Sequence, residues 1–85
     1  MKVLIASPLR SYTNAAEVEA DGSTLGEIFA DLDRRFAGIR FRMVDEQGQI
    51  RRHIRVFVNT KQIWDLGHKL APDDELCIVQ ALSGG

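Results

Sequence analysis

Little in this chain marks a catalyst, a secreted protein or a nucleic-acid binder. Of its 85 residues only Cys77 is a cysteine, so no internal disulfide can form and no Cys-x-x-Cys pair exists for redox or metal work. His53 and His68 stand apart, without a cysteine or carboxylate at ligand spacing; no metal or cofactor is expected. The formal net charge of −1 lacks the basic excess that nucleic acid demands, and Arg51-Arg52-His53 with Arg55, like Arg34-Arg35, is read as a solvated face. No apolar run approaches the ~18 residues of a membrane span. Val3-Leu4-Ile5-Ala6 is cut off by Ser7-Pro8 too soon for a signal peptide, so a cytoplasmic protein away from the membrane is expected. No nucleophile–base pair or phosphate loop is found, which argues against an enzyme.

What is present is patterned. The hydrophobic fraction of 45 % is ordinary for one small globular domain with a modest core. Lys2 to Ala6 reads as a central strand buried on both faces. Ser11 to Asn14 reads as a loop, and the stretch from Leu9 to Asn14 is short enough for a hairpin. In the next strand Ala16, Val18 and Ala20 alternate with Glu17, Glu19 and Asp21. Thr24 with Glu27 forms a capping box, with Ser23 as an alternative N-cap. A helix over Thr24–Phe36 follows, with Leu25, Ile28, Phe29, Leu32 and Phe36 on its inner face and Glu27, Asp31, Arg34 and Arg35 outside. Gly38 is its stop; Gly26 in the first turn has no local reason.

Further on, Phe41–Val44 and Ile50–Arg52 flank Asp45-Glu46-Gln47-Gly48-Gln49 and predict a hairpin. From His53 to Val58, Ile54, Val56 and Val58 share one face, and His53, Arg55 and Phe57 the other. Asn59-Thr60 turns the chain, Gln62–Trp64 makes a short strand or turn, and Trp64 is read as a core-edge or loop anchor. Leu66 and Leu70 should be pinned under a loop that ends in the Pro72-Asp73-Asp74 turn. The last strand is Glu75–Ala81, with Leu76 and Ile78 toward the helix and Cys77 and Val79 away. Two hairpins, one helix and a final strand give an α+β fold. The most apolar strands, first and last, are placed side by side and parallel, which needs the long crossover between them. That is the order of a β-grasp, or ubiquitin-like, fold, expected over residues 1–82.

Residues 83–85 are expected to form a tail, Ser83-Gly84-Gly85. Two glycines without Cβ atoms are slender and costly to order, which suits threading into another protein's active site better than finishing a fold.

In this strand order, with Phe57-Val58-Asn59, then Asp73-Asp74-Glu75, and Gly84-Gly85 at the end, the chain resembles the MoaD/ThiS sulfur-carrier family over its whole length. The paired Arg51-Arg52 hairpin and the ending Gln80-Ala81-Leu82-Ser83-Gly84-Gly85 are more similar to the stand-alone bacterial carriers used in cysteine or specialised-metabolite sulfur transfer than to the small subunit of molybdopterin synthase. The resemblance implies that the Gly85 carboxylate is adenylated by an ATP-dependent, ubiquitin-activating-like adenylyltransferase. It then accepts sulfur from a donor as a thiocarboxylate and passes it to a downstream synthase or metalloprotease-like partner. The pathway would make cysteine, molybdopterin, thiamin or another sulfur-containing metabolite. A carboxylate ionised at neutral pH (pKa ~3.5) is a poor electrophile, which is why activation is needed. Phe57, Cys77 and Val79, with Arg55 and, near the tail, Leu82, compose a candidate partner-binding patch on the open face of the sheet. The rival functions are a ubiquitin-like modifier joined to lysine through Gly85 and a plain β-grasp interaction domain.

Overall fold

The computed structural model describes residues 1–6 and 9–80. Its longest helix begins where the capping signal lies. Thr24 is extended and its Oγ1 accepts the Glu27 N–H at 3.2 Å, while Glu27 Oε1 reaches back to the Ser23 N–H at 2.7 Å and the Ser23 hydroxyl at 2.9 Å. The reciprocal half of the capping box is thus supplied by Ser23, one residue earlier than the usual pattern.

In chain order the elements are β1 (Lys2–Ile5), α1 (Arg10–Thr13), β2 (Glu17–Glu19), α2 (Leu25–Arg35), α3 (Ile39–Met43), β3 (Ile54–Val58), β4 (Lys61–Ile63) and β5 (Leu76–Gln80). The five strands form one sheet in the order β2-β1-β5-β3-β4. β1 and β5 are parallel and β5 is central, as their apolar content predicts. The remaining pairs are antiparallel. α2 lies on one face and buries Leu25, Ile28, Phe29 and Leu32 completely. Their core partners from the sheet include Val3, Ile5, Ile54, Val56, Leu76 and Ile78. Phe36, the C-cap, is only half-buried. Leu70 is buried and Leu66 packs against the core, as expected for a pinned loop. No helix among the described residues is long and apolar enough to cross a membrane.

Several expectations fail. The hairpin expected at 41–52 keeps its turn, but neither Phe41–Val44 nor Ile50–Arg52 forms a strand. Asp45 accepts the N–H groups of Gln47 (2.9 Å) and Gln49 (3.0 Å), and only an isolated Val44–Ile50 bridge follows. Ile39–Met43 is instead a short helix, because Ile39 and Met43 are four residues apart and both fully buried. Gly38 starts it at φ 94°, in the left-handed region that glycine tolerates. Asp33 Oδ1 accepts the N–H of Gly38 and of Arg40, each at 3.1 Å. The loop expected at 11–14 contains the single turn of α1, closed by Asn14 at φ 55°. Ala16 is exposed, just outside β2. β1 is not buried on both faces: Leu4 is half-buried, because α2 covers one side only.

Asp31 is the largest departure. It is not on a solvated face but 5 % exposed, accepting the Asp21 N–H and the Arg35 Nε–H at 2.8 Å each, with Arg34 on its other oxygen. Gly26 also acquires a reason. Its N–H donates to the Leu66 carbonyl at 2.8 Å, and a Cβ there would stand 3.3 Å from that oxygen.

Candidate functional site

β5 carries the chain toward Gly85, and three sets of contacts fix its position. Before it, Asn59 sits in a tight turn at φ 50° and bridges to the Pro72–Asp74 turn. Its Nδ2 donates to Asp74 Oδ1 at 2.8 Å, and its Oδ1 accepts the Glu75 N–H at 2.9 Å. Asp74 Oδ2 accepts the Ala71 N–H at 2.8 Å. That N–H, and then the Asn59 side chain, holds the Asp74 carboxyl below its ordinary range. Along its length β5 is registered against β1 (Val3↔Leu76 to Ile5↔Ile78) and β3 (Val58↔Leu76 to Ile54↔Gln80). The last described rung is Gln80 opposite Ile54. Leu82, Ser83, Gly84 and Gly85, the expected reacting end, lie outside the described residues.

The side of the sheet away from α2 gathers the other four predicted residues. Phe57 pairs with Cys77 and Arg55 with Val79, and all four are half-buried. Cross-strand partners share a face, so Leu4, Cys77, Phe57 and Gln62 form one row over four strands. Leu4, Phe57, Thr60, Glu75 and Cys77 line a shallow, largely apolar hollow. Burial, and secondarily the Glu75 carboxylate, pushes the Cys77 thiol up. It therefore stays a neutral packing group rather than a thiolate nucleophile.

Sequence reasoning missed three members of this surface. Leu4 was hidden in an uninterrupted apolar run that shows no alternation. Gln62 follows from strand parity once β4 is paired to β3. Trp64 is no core anchor: it is 58 % exposed, with the Arg55 guanidinium 5.8 Å from its ring centroid. β4 ends at Ile63, so no further strand covers the tryptophan. A second exposed aromatic, Phe41, has the Arg51 guanidinium 4.8 Å from its centroid. Exposed half-apolar surface next to arginine has the composition of protein interfaces. The arrangement has the make-up of a docking face on the side of the sheet away from α2.

Comparison with known proteins gives this geometry a context. The ThiS family description matches residues 3–85. A curated relative, "Sulfur carrier protein CysO" of Mycobacterium tuberculosis, is 31 % identical over 93 residues, covering 100 % of both chains. Among solved structures, the Amycolatopsis orientalis BexX/CysO complex contains a chain that superposes with a TM-score of 0.89 at 36 % identity, over 99 % of this chain and 98 % of that one. Mycobacterium tuberculosis CysO gives 0.88 at 30 % identity, with 95 % and 98 % covered. SAMP1 from Haloferax volcanii gives 0.81 at 26 % identity, with 100 % and 98 % covered.

Proposed function

The chain belongs to the ThiS family, and from that premise we propose that it is a sulfur carrier whose reacting group is the carboxylate of Gly85. The observation that carries this reading is the full-length likeness to proteins named sulfur carriers. The reading is supported by the Arg55–Phe57–Val79 face, which lies on β3 and the central strand β5 close to the last described residue, Gln80.

The chemistry runs in two steps. A carboxylate oxygen of Gly85 attacks the α-phosphorus of ATP in a partner adenylyltransferase and displaces pyrophosphate, leaving an acyl-adenylate. Hydrogen sulfide anion then attacks the acyl carbon and AMP leaves, giving the thiocarboxylate and a proton. A persulfide donor forms an acyl disulfide instead, which a thiol cleaves to the same product. The downstream synthase or metalloprotease-like partner uses the resulting sulfur nucleophile. The carrier contributes recognition and a narrow tail, while the acid–base work belongs to its partners. Ser83 and Gly84 pass through the partner's channel, and Phe57, Val79, Cys77, Arg55 and Leu82 meet its surface. A relative's structure as the BexX/CysO complex is consistent with docking of this kind.

Intact mass spectrometry of the chain from cells making its partners tests the proposal: one oxygen should be replaced by one sulfur on the C-terminal peptide. High-mass conjugates through Gly85 would favour the modifier reading, which the likeness to SAMP1 keeps in view. Removing Gly84 and Gly85 should abolish ATP–pyrophosphate exchange and leave melting unchanged. Gly84→Val, which keeps the carboxylate but widens the chain, should depress exchange sharply. Undiminished exchange by the truncated chain overturns the assignment of Gly85.

A further inference from the structure

Arginine is concentrated at one place. Residues 39–55 hold five arginines against two acids, +3 within a chain whose formal net charge is −1, so the other 68 residues carry −4. Topology puts much of this charge at the end of the sheet where the described part of β5 ends, at Gln80. Gln80 lies opposite Ile54, and Arg51, Arg52 and His53 lead directly into Ile54. Arg55 is one rung inward, opposite Val79. Its guanidinium donates back to the Arg52 carbonyl, which ties the strand to this turn.

The two exposed large hydrophobic side chains among the described residues, Phe41 and Trp64, belong to the same region. Each has an arginine over its ring, Arg51 over Phe41 and Arg55 over Trp64. Arg51 is held further by donation of its Nε–H to the Phe41 carbonyl at 2.8 Å. Phe41, Arg42, Glu46, Arg51 and His53 line one hollow. Arg52 is exposed and its guanidinium has no ion pair among the described residues. Guanidinium groups aligned on aromatic rings are pre-organised, so less freedom is lost when they meet carboxylates.

We infer that this arginine–aromatic band, which shares Arg55 and Trp64 with the open face of the sheet, extends the contact surface with a region for an acidic protein rim surrounding the channel that receives the tail. The inference rests on the carrier reading, which supplies the channel. Gly85 is five positions beyond Gln80, and a fully extended chain of that length spans at most ~18 Å. A partner that holds the carboxylate must therefore come close to Gln80, where it meets Arg51, Arg52 and Arg55. Carboxylates at that rim complement the band; a basic rim would be repelled by it. Charge placed like this acts mainly on encounter and on salt dependence.

Two measurements test the band. In ATP–pyrophosphate exchange with the adenylating enzyme of the same cell, Arg51→Glu/Arg52→Glu should raise the KM for the carrier about tenfold at low salt and leave kcat within about twofold. The difference should shrink at ~0.5 M salt, where exposed charges are screened. Lys2→Glu, at the opposite end of the sheet, should leave KM nearly unchanged. An equal rise for Lys2→Glu, or no rise for the double variant, overturns the proposal. The second measurement needs no activity and uses emission from Trp64, the single tryptophan. A short Glu-rich peptide should bind saturably and salt-sensitively to the wild-type chain, and far more weakly to the double variant. The same peptide with Gln in place of Glu should not bind. Absence of peptide binding, or tighter binding of oligouridylate, refutes an acidic protein partner even if exchange fails because the carrier reading is wrong.

Discussion

Asp31→Asn is the most informative single perturbation of the fold, because it changes a charge the helical pattern places in water and the structure places under a loop. The carboxylate is 5 % exposed and accepts from the Asp21 N–H and Arg35 Nε–H at 2.8 Å. Its partners are not equally buried: the side chain of Arg35 is 40 % exposed and that of Arg34 is 74 % exposed. Water screens the two arginine contacts, so each is worth only a few tenths of a kcal/mol. The bond from Asp21 closes the loop onto the helix, and as a hydrogen bond to a charged acceptor it contributes ~1.5–3 kcal/mol. Asn keeps the shape and one acceptor oxygen. That oxygen can take the place of Oδ2 and still accept from Asp21 and Arg35, but both bonds lose their charged acceptor, and the NH2 is left facing the Arg34 guanidinium, donor against donor. The expected cost is ~2 kcal/mol, or about 8–16 °C in Tm for a domain of this size. Urea unfolding should show a lower midpoint at unchanged slope. Arg34→Gln, which removes only the most exposed partner, should cost well under ~1 kcal/mol. If Asp31→Asn and Arg34→Gln cost the same, the carboxylate is a solvated helix residue and the loop closure assigned to it is wrong.

Phe57→Ala should weaken the complex with the adenylating partner by more than ~1 kcal/mol, as measured by titration calorimetry, with little change in Tm; a large fall in Tm would make Phe57 core. Gly26→Ala should destabilise despite a helix-propensity gain of up to ~1 kcal/mol, because the crowded Leu66 oxygen is held in place by the Gly26 N–H itself. Thermal melts decide the sign. Glu27, Asp45 and Asp74 are all held below their ordinary range, foremost by the N–H groups of Ser23, Gln49 and Ala71 respectively. Depressed carboxyls contribute stability that is present above the unfolded carboxylate range, about pH 4–4.5, and lost as pH falls through the lower folded values. Urea midpoints should therefore fall on acidification below about pH 4.5, and Asn59→Ala should reduce the share owed to Asp74.

What could be read from the sequence follows from the length of each pattern. α2 repeats its apolar face over eleven residues and carries its own cap, so local signals agree with packing. The alternation in β3 and β5 placed Arg55, Phe57, Cys77 and Val79 on one face without further information. α3 is only five residues long, and over that span the Ile39–Met43 helical spacing competes with a Phe41–Met43 strand alternation. Asp31 and Gly26 depend on segments that come from elsewhere in the chain, residue 21 and residue 66, which no window around α2 contains. Trp64 was misplaced because size and hydrophobicity argue for a core, whereas its position just past a short edge strand leaves only Arg55 to cover it. Phe57-Val58-Asn59 and Asp73-Asp74-Glu75, the pieces that carried the family resemblance, meet through Asn59 and Asp74. Their role in this structure is to seat β5.

That seating connects the fold to its proposed use. A slip of β5 by one residue would turn Leu76 and Ile78 outward and Cys77 and Val79 into the core. The Asn59–Asp74–Glu75 bonds at one end and ladders on both sides oppose it. The distance from the Arg55–Phe57–Val79 face to the last described rung, Gln80 opposite Ile54, is thereby constant from molecule to molecule. A partner that grips the face receives the remaining five residues at high effective concentration, and entry of the tail becomes an intramolecular step. A carrier used in this way needs two things of its domain: a surface that can be recognised, and a strand that cannot shift beneath it. Binding and chemistry separate along β5. Changes to the face should alter KM, and changes to the tail should alter kcat.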